Sequence, residues 1–127
     1  MKRLLLAMAL ALLPQAAVAL PPATGTVHTF YDPIFEGVVV CDTFDQLKEI
    51  ATADRPGDVF LEYLTTPNAL NEPTCAAVQP TGLVRNVKPL GLMQEDGQQF
   101  FAYAVETQFG NITAYVLFLE KAAFAQA

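Results

Sequence analysis

Along the chain the spacing of apolar positions changes once, from helical in the first half to alternating in the second. The run Val38-Val39-Val40, bounded by Gly37 and by Asp42-Thr43, predicts a short buried strand. Phe44, Leu47, Ile50 and Ala51 then recur at helical spacing and give one apolar face. Thr43-x-x-Gln46 ahead of them is a capping box, and Asp42 and Asp45 fall near the positive end of the helix dipole. Arg55-Pro56-Gly57 stops this helix. Asp58 is placed to cap a second, short helix with Phe60, Leu61 and Leu64 on one face. The Val and aromatic content of residues 59–65 leaves a strand as the alternative there. Residues 68–74 form a loop that leads to Cys75.

Beyond Cys75 the pattern predicts strands. Residues 75–79 form one, and residues 83–93 another, interrupted near Pro89-Leu90-Gly91. Glu95-Asp96-Gly97 is a hairpin turn. Over residues 99–108, Phe101, Tyr103, Val105 and Thr107 share one face, while Phe100, Ala102, Ala104 and Glu106 share the other. Gly110-Asn111 is a second turn, so the formal glycosylation sequon Asn111-Ile112-Thr113 is read as a turn residue feeding a strand. Residues 112–120 are almost continuously apolar, which predicts a strand covered on both faces or central in the sheet. The fold class expected is α+β: a small antiparallel sheet of about four strands, with one or two helices on one face and one disulfide as a staple.

The two ends read differently from the middle. Lys2 and Arg3 precede an apolar run over residues 4–13, too short to span a bilayer, and Ala17-Val18-Ala19 is a small-x-small cleavage site. Residues 1–19 are therefore expected to be a signal peptide, with the cut after Ala19. Residues 20–35 are an extended lead-in that adds an edge strand at residues 27–31. Residues 36–121 are a single domain, and residues 122–127 an alanine-rich tail. A protein exported to the periplasm or outside the cell, soluble after cleavage, is the location this implies.

Charge narrows the partners. Cleavage removes two of the seven Lys and Arg and none of the thirteen Asp and Glu, so the charge moves from −6 to −8. A chain this acidic has no basic patch with which to neutralise phosphates, so nucleic acid is excluded as a partner, and anionic membranes are disfavoured. An unknown protein or small ligand remains, with no cofactor expected and the oligomeric state open. The acidity also serves solubility.

The two cysteines, Cys41 and Cys75, are an even pair in an exported chain and are expected to form a disulfide. It would close a loop of about 35 residues, which the chain-entropy description values at about 4 kcal/mol. The alternatives lack partners. Cys41 sits where a helix N-terminus would activate a thiolate, but position 47, where a phosphatase needs arginine, is Leu47. There is no C-x-x-C motif, a Cys41–His28 dyad would use the one histidine near the mature N-terminus, and no zinc-ligand spacing is present.

Val38 to Thr43 (VVVCDT) followed by a helix, then Asn71 to Cys75 (NEPTC) leading into strands and a closing hairpin, resembles a group of small exported bacterial proteins of unknown function. The resemblance covers residues 38–118. It implies a disulfide-stapled layout and a periplasmic location, and implies no activity.

For function, the residues favour an exported non-catalytic domain that binds a protein or small ligand, with Phe100, Tyr103 and Phe109 as the candidate binding surface. An inhibitor or accessory subunit of a periplasmic enzyme, working through an acidic face or the loop over residues 65–74, is the second possibility. A small hydrolase built on carboxylates such as Asp42, Asp45 or Glu106 is the third. With a single histidine in the chain, no catalytic residues are assigned.

Overall fold

The computed structural model describes residues 21–31, 37–95 and 97–121. The expected signal peptide, the last residues of the lead-in, Asp96 of the hairpin turn and the tail lie outside the described residues. In chain order the elements are β1 (Val27–Thr29), β2 (Val38–Cys41), α1 (Phe44–Thr52), α2 (Pro56–Thr65), β3 (Cys75–Val78), β4 (Thr81–Glu95), β5 (Gln98–Phe109) and β6 (Ile112–Lys121).

The α+β expectation is corrected. The chain is mostly β, with 53% strand against 20% helix, and six antiparallel strands curl into a half-barrel carrying two helices. Two causes account for the difference. The short strands Val27–Thr29 and Cys75–Val78 form where strands are expected, but both join the one sheet as its edges, so a sheet of about four strands undercounts it. The break read at Pro89-Leu90-Gly91 is a register irregularity inside one continuous fifteen-residue strand, with a second between Val84 and Asn86. Such irregularities bend a strand and increase its twist rather than end it.

The strand order is β1-β4-β5-β6-β2-β3. Edge strand β3 is followed after two residues by β4, which lies beside the opposite edge strand β1. So short a connection brings the two edges together at one corner. There the Phe30 N–H donates to the Pro80 carbonyl at 2.8 Å. As its apolar run predicts, β6 is central, between β5 and β2.

Both faces of the curled sheet bury side chains. One face carries Cys41, Cys75, Met93, Ala102, Ala104 and Leu117 beneath Leu47, Ile50 and Ala51 of α1. The small alanines let the helix approach closely. The other face folds on itself around Phe30, Val84, Val105 and Val116, with no helix over it among the described residues. Gly82 makes this closure possible: a Cβ there would stand 2.7 Å from the Phe109 ring and from the Thr107 methyl.

The helices match the sequence with one refinement. Gln46 N–H donates to Thr43 Oγ1 at 3.2 Å, and Thr43 N–H donates to Gln46 Oε1 at 3.1 Å, completing the capping box. Residues 59–65 are helical. Pro56 both ends the approach from α1 and begins α2, as proline at a first helical turn can. Asp58 is thus inside the first turn, 3.2 Å from Arg55 Nε, and is not the cap. The Tyr63 hydroxyl donates to the Glu49 carboxylate and ties α2 to α1.

Candidate functional site

Cys41 and Cys75 are bonded, and they are direct cross-strand partners in the β2–β3 ladder with Cα atoms 4.1 Å apart. The adjacent Asp42 N–H donates to the Thr74 carbonyl at 3.0 Å. Antiparallel ladders alternate between hydrogen-bonded and non-hydrogen-bonded pairs. The pair 42:74 is therefore of the first kind and 41:75 of the second. No free cysteine exists among the described residues, so the thiolate readings of Cys41 fall away.

The same alternation shows what lies on the other side of β2. If residues 38, 40 and 42 aim their main-chain groups at β3, residues 37, 39 and 41 aim theirs at β6. Yet β2 pairs with β6 at two positions only, Val40 with Val116 and Cys41 with Tyr115. The pairs that would continue the ladder, Val39 with Leu117 and Gly37 with Leu119, are missing among the described residues. The ladder between the two strands stops there among the described residues.

A cavity of about 460 Å³ lies beside the end of that ladder. Gly37, Val39, Leu117 and Leu119 line it together with Phe60 of α2 and Met93 of β4. Phe30 and His28 reach it from β1, with their rings in an edge-to-face arrangement at 4.7 Å. Among the described residues, Glu95 is the one carboxylate of the lining and Tyr31 the one phenol. One oxygen of Glu95 would stand 3.4 Å from a Cβ at Gly57, beside the first turn of α2, where a helix dipole favours an anion. Among the described residues, no serine, threonine, cysteine or lysine lines it. Its volume is in the range of small-molecule sites, and its lining is apolar apart from a few polar groups, as such sites are.

The aromatics singled out in the sequence do not converge. Phe100 is buried on the helix-covered face, opposite Met93. Phe109 lies over Gly82 on the other face. Tyr103 is half-buried beside Phe118, and its hydroxyl donates to Glu120 Oε1 at 3.1 Å. None of the three lines the cavity. The carboxylates Asp42 and Asp45 are exposed at the N-terminus of α1, and Glu106 faces Tyr115 and Asn86 on the sheet, so these do not form a cluster either. The described residues contain no group of three His, Cys, Asp or Glu arranged to hold a metal ion. Sequence reasoning missed His28, Phe30, Phe60, Met93 and Glu95, because their meeting depends on the curl of the sheet.

Burial and the hydrogen bond to Glu120 both push the Tyr103 phenol above its usual value. A group whose pKa is raised on folding contributes stability that is complete below its unfolded pKa, about 10 for a phenol, and is lost as pH rises through the folded value. Tyr103→Phe should therefore cost about 1 kcal/mol at neutral pH, because the buried Glu120 loses a donor. It should also flatten the fall in stability above about pH 10, measured by urea unfolding across the alkaline range. An unchanged alkaline profile would show that Tyr103 does not report folding.

Among the described residues, no helix is long and apolar enough to cross a membrane. The chain matches no protein-family model, no curated protein and no solved structure.

Proposed function

We propose that the chain is an exported, non-catalytic binding domain whose ligand site is the cavity between β2, β6 and the helices. The cavity carries this reading: it is of ligand size and its described lining is apolar apart from a few polar groups. The disulfide, which persists in oxidising compartments, supports export. So does the signal-like pattern of residues 1–19, and soluble periplasmic protein is the expected product after cleavage at Ala19.

The test uses the neutral fluorophore N-phenylnaphthylamine, which brightens in apolar surroundings. Wild-type protein should enhance its emission saturably. Ala77 lines the cavity from exposed edge strand β3, so Ala77→Phe fills the space without disturbing the core. That variant should bind the probe at least tenfold more weakly, at unchanged stability, a loss of about 1.4 kcal/mol. Equal binding by the two proteins would move the site elsewhere.

One observation favours the second reading, an inhibitor or accessory subunit acting through its loop. Leu70 stands 77% exposed at the tip of the turn after α2. Asn68 Oδ1 accepts the N–H groups of Leu70 at 2.8 Å and Glu72 at 3.0 Å. A Pro67–Pro73 bridge closes the turn, and the disulfide at Cys75 anchors it. An apolar side chain on a preorganised turn loses little entropy when it enters a partner's pocket. If this reading holds, a periplasmic protein should co-purify with wild type and with Leu92→Asp, and be lost with Leu70→Asp.

A further inference from the structure

We infer that the cavity takes an uncharged molecule with an aromatic head and an alkyl tail, the chemistry of an alkylated phenol. This rests on the cavity being the ligand site and goes on to name the ligand's chemistry.

Members of both cores line the cavity. From the face without helices come Phe30, Val38 and Phe118. From the helix-covered face come Val39, Ile50, Phe60, Met93, Leu117 and Leu119. Successive strand residues point to opposite faces, so on β6 Phe118 projects away from Leu117 and Leu119, and on β2 Val38 projects away from Val39. A single occupant therefore meets both cores.

The two sides differ in chemistry. Phe30 and Phe118 present aromatic rings, and the His28 ring stands edge-to-face on Phe30 at 4.7 Å. Tyr31, next to Phe30 in the chain, lines the cavity as well. The helix-covered side is mainly aliphatic, through Ile50, Met93, Leu117 and Leu119, with Phe60 as its ring among the described lining. Ring-on-ring contacts contribute beyond the area they bury. Aliphatic walls favour any apolar surface in proportion to its area. An aryl group is thus selected at the Phe30–Phe118 end and an alkyl chain along the other. The His28 imidazole and the Tyr31 hydroxyl can each donate and accept hydrogen bonds, so a hydroxyl on the ligand's ring finds partners at the aromatic end.

Charge narrows the class further. No described Lys or Arg lines the cavity, so a ligand carboxylate or phosphate would lose its hydration without either to pair with. Glu95 already has an interacting partner, so it does not call for a ligand cation. A neutral ligand avoids both costs. An acid paired with His28 is the competitor that the experiment must separate.

The experiment displaces N-phenylnaphthylamine from the intact protein with para-octylphenol and three relatives. These are its ring-saturated analogue, para-octylbenzoate, and phenol without the tail. Octylphenol should displace the fluorophore fully. The saturated analogue should bind about fivefold more weakly, through the lost ring contacts. Octylbenzoate and phenol should each bind weaker by about tenfold or more. Nuclear Overhauser contacts should join the aryl protons to the rings of Phe30 and Phe118, and the tail methyl to Ile50 and Met93. If the saturated analogue or the benzoate competes as well as octylphenol, or if the contacts run the other way round, the inference fails while the cavity remains a ligand site. The same holds if the fluorophore binds and octylphenol does not displace it. If the fluorophore itself does not bind, both fail together.

Discussion

Removal of the Cys41–Cys75 bond, by the double substitution Cys41→Ala and Cys75→Ala, should lower the unfolding free energy by about 2–5 kcal/mol. On a domain of this size a loss near 3 kcal/mol moves the thermal midpoint down by roughly 12–24 °C. The bond closes a loop with a sequence separation of 34 residues, and that loop holds both helices. Unbridged, the unfolded chain explores many more arrangements of that segment. The native side is hit too: both cysteines are almost fully buried and sit at the centre of the helix-covered core, so alanine leaves space there. Among the described residues β3, an edge strand, pairs with β2 alone, and the disulfide fastens one end of that pairing. Thermal and urea unfolding of wild type and the double variant, without reductant, checks this. A midpoint within 3 °C of wild type would mean that the β2–β3 ladder and core carry the domain unaided.

The loop between α2 and β3 depends on the same staple. Thr74 lies next to Cys75, and its hydroxyl donates to the Tyr63 carbonyl at 3.1 Å, joining the end of α2 to the start of β3. Loss of the disulfide should therefore raise exchange at residues 68–74 before it affects β5 or β6. The turn bearing Leu70 and the cavity lined by Val39 and Ala77 flank the same strand pair, so one covalent bond steadies both surfaces proposed for binding.

What the sequence made legible follows from how local each signal is. The capping box, the apolar face of α1 and the central position of β6 all come from residues within a few positions of each other. The disulfide was legible from cysteine count and compartment alone. The sheet's true extent was not. Pro89 and Gly91 look like a strand end, because proline lacks a ladder donor and glycine weakens a strand. In the fold they mark a bulge in a long, bent β4. The site was least legible of all. Gly37 and Leu119 are distant in sequence, and they meet in one cavity lining only through the curl of the sheet. The aromatic stripe of β5 was the more visible pattern, and it went to packing on both faces of the sheet.

Phe30→Ala should be the most damaging single substitution among the described residues 21–31. Phe30 is 1% exposed and is a member of the core on the face without helices. Replacing a buried phenylalanine by alanine typically costs about 3–5 kcal/mol through lost burial and the void left behind. The neighbouring Tyr31, 53% exposed, sets the contrast, and Tyr31→Ala should stay within about 0.5 kcal/mol of wild type. The main-chain pin from Phe30 N–H to the Pro80 carbonyl survives the change, so the cost isolates the ring. Two outcomes are physically distinct. If β1 is part of the cooperative unit, urea unfolding shows the full loss in a single transition, and exchange rises throughout β4 and β5. If β1 merely frays, with only three register positions to hold it, global stability changes by less than about 1 kcal/mol and exchange rises only near residues 81–84. The burial of Phe30 against Val84, Val105 and Val116, the residues that close the half-barrel on itself, decides for the first. Because the same ring lines the cavity, Phe30→Ala should also alter N-phenylnaphthylamine binding.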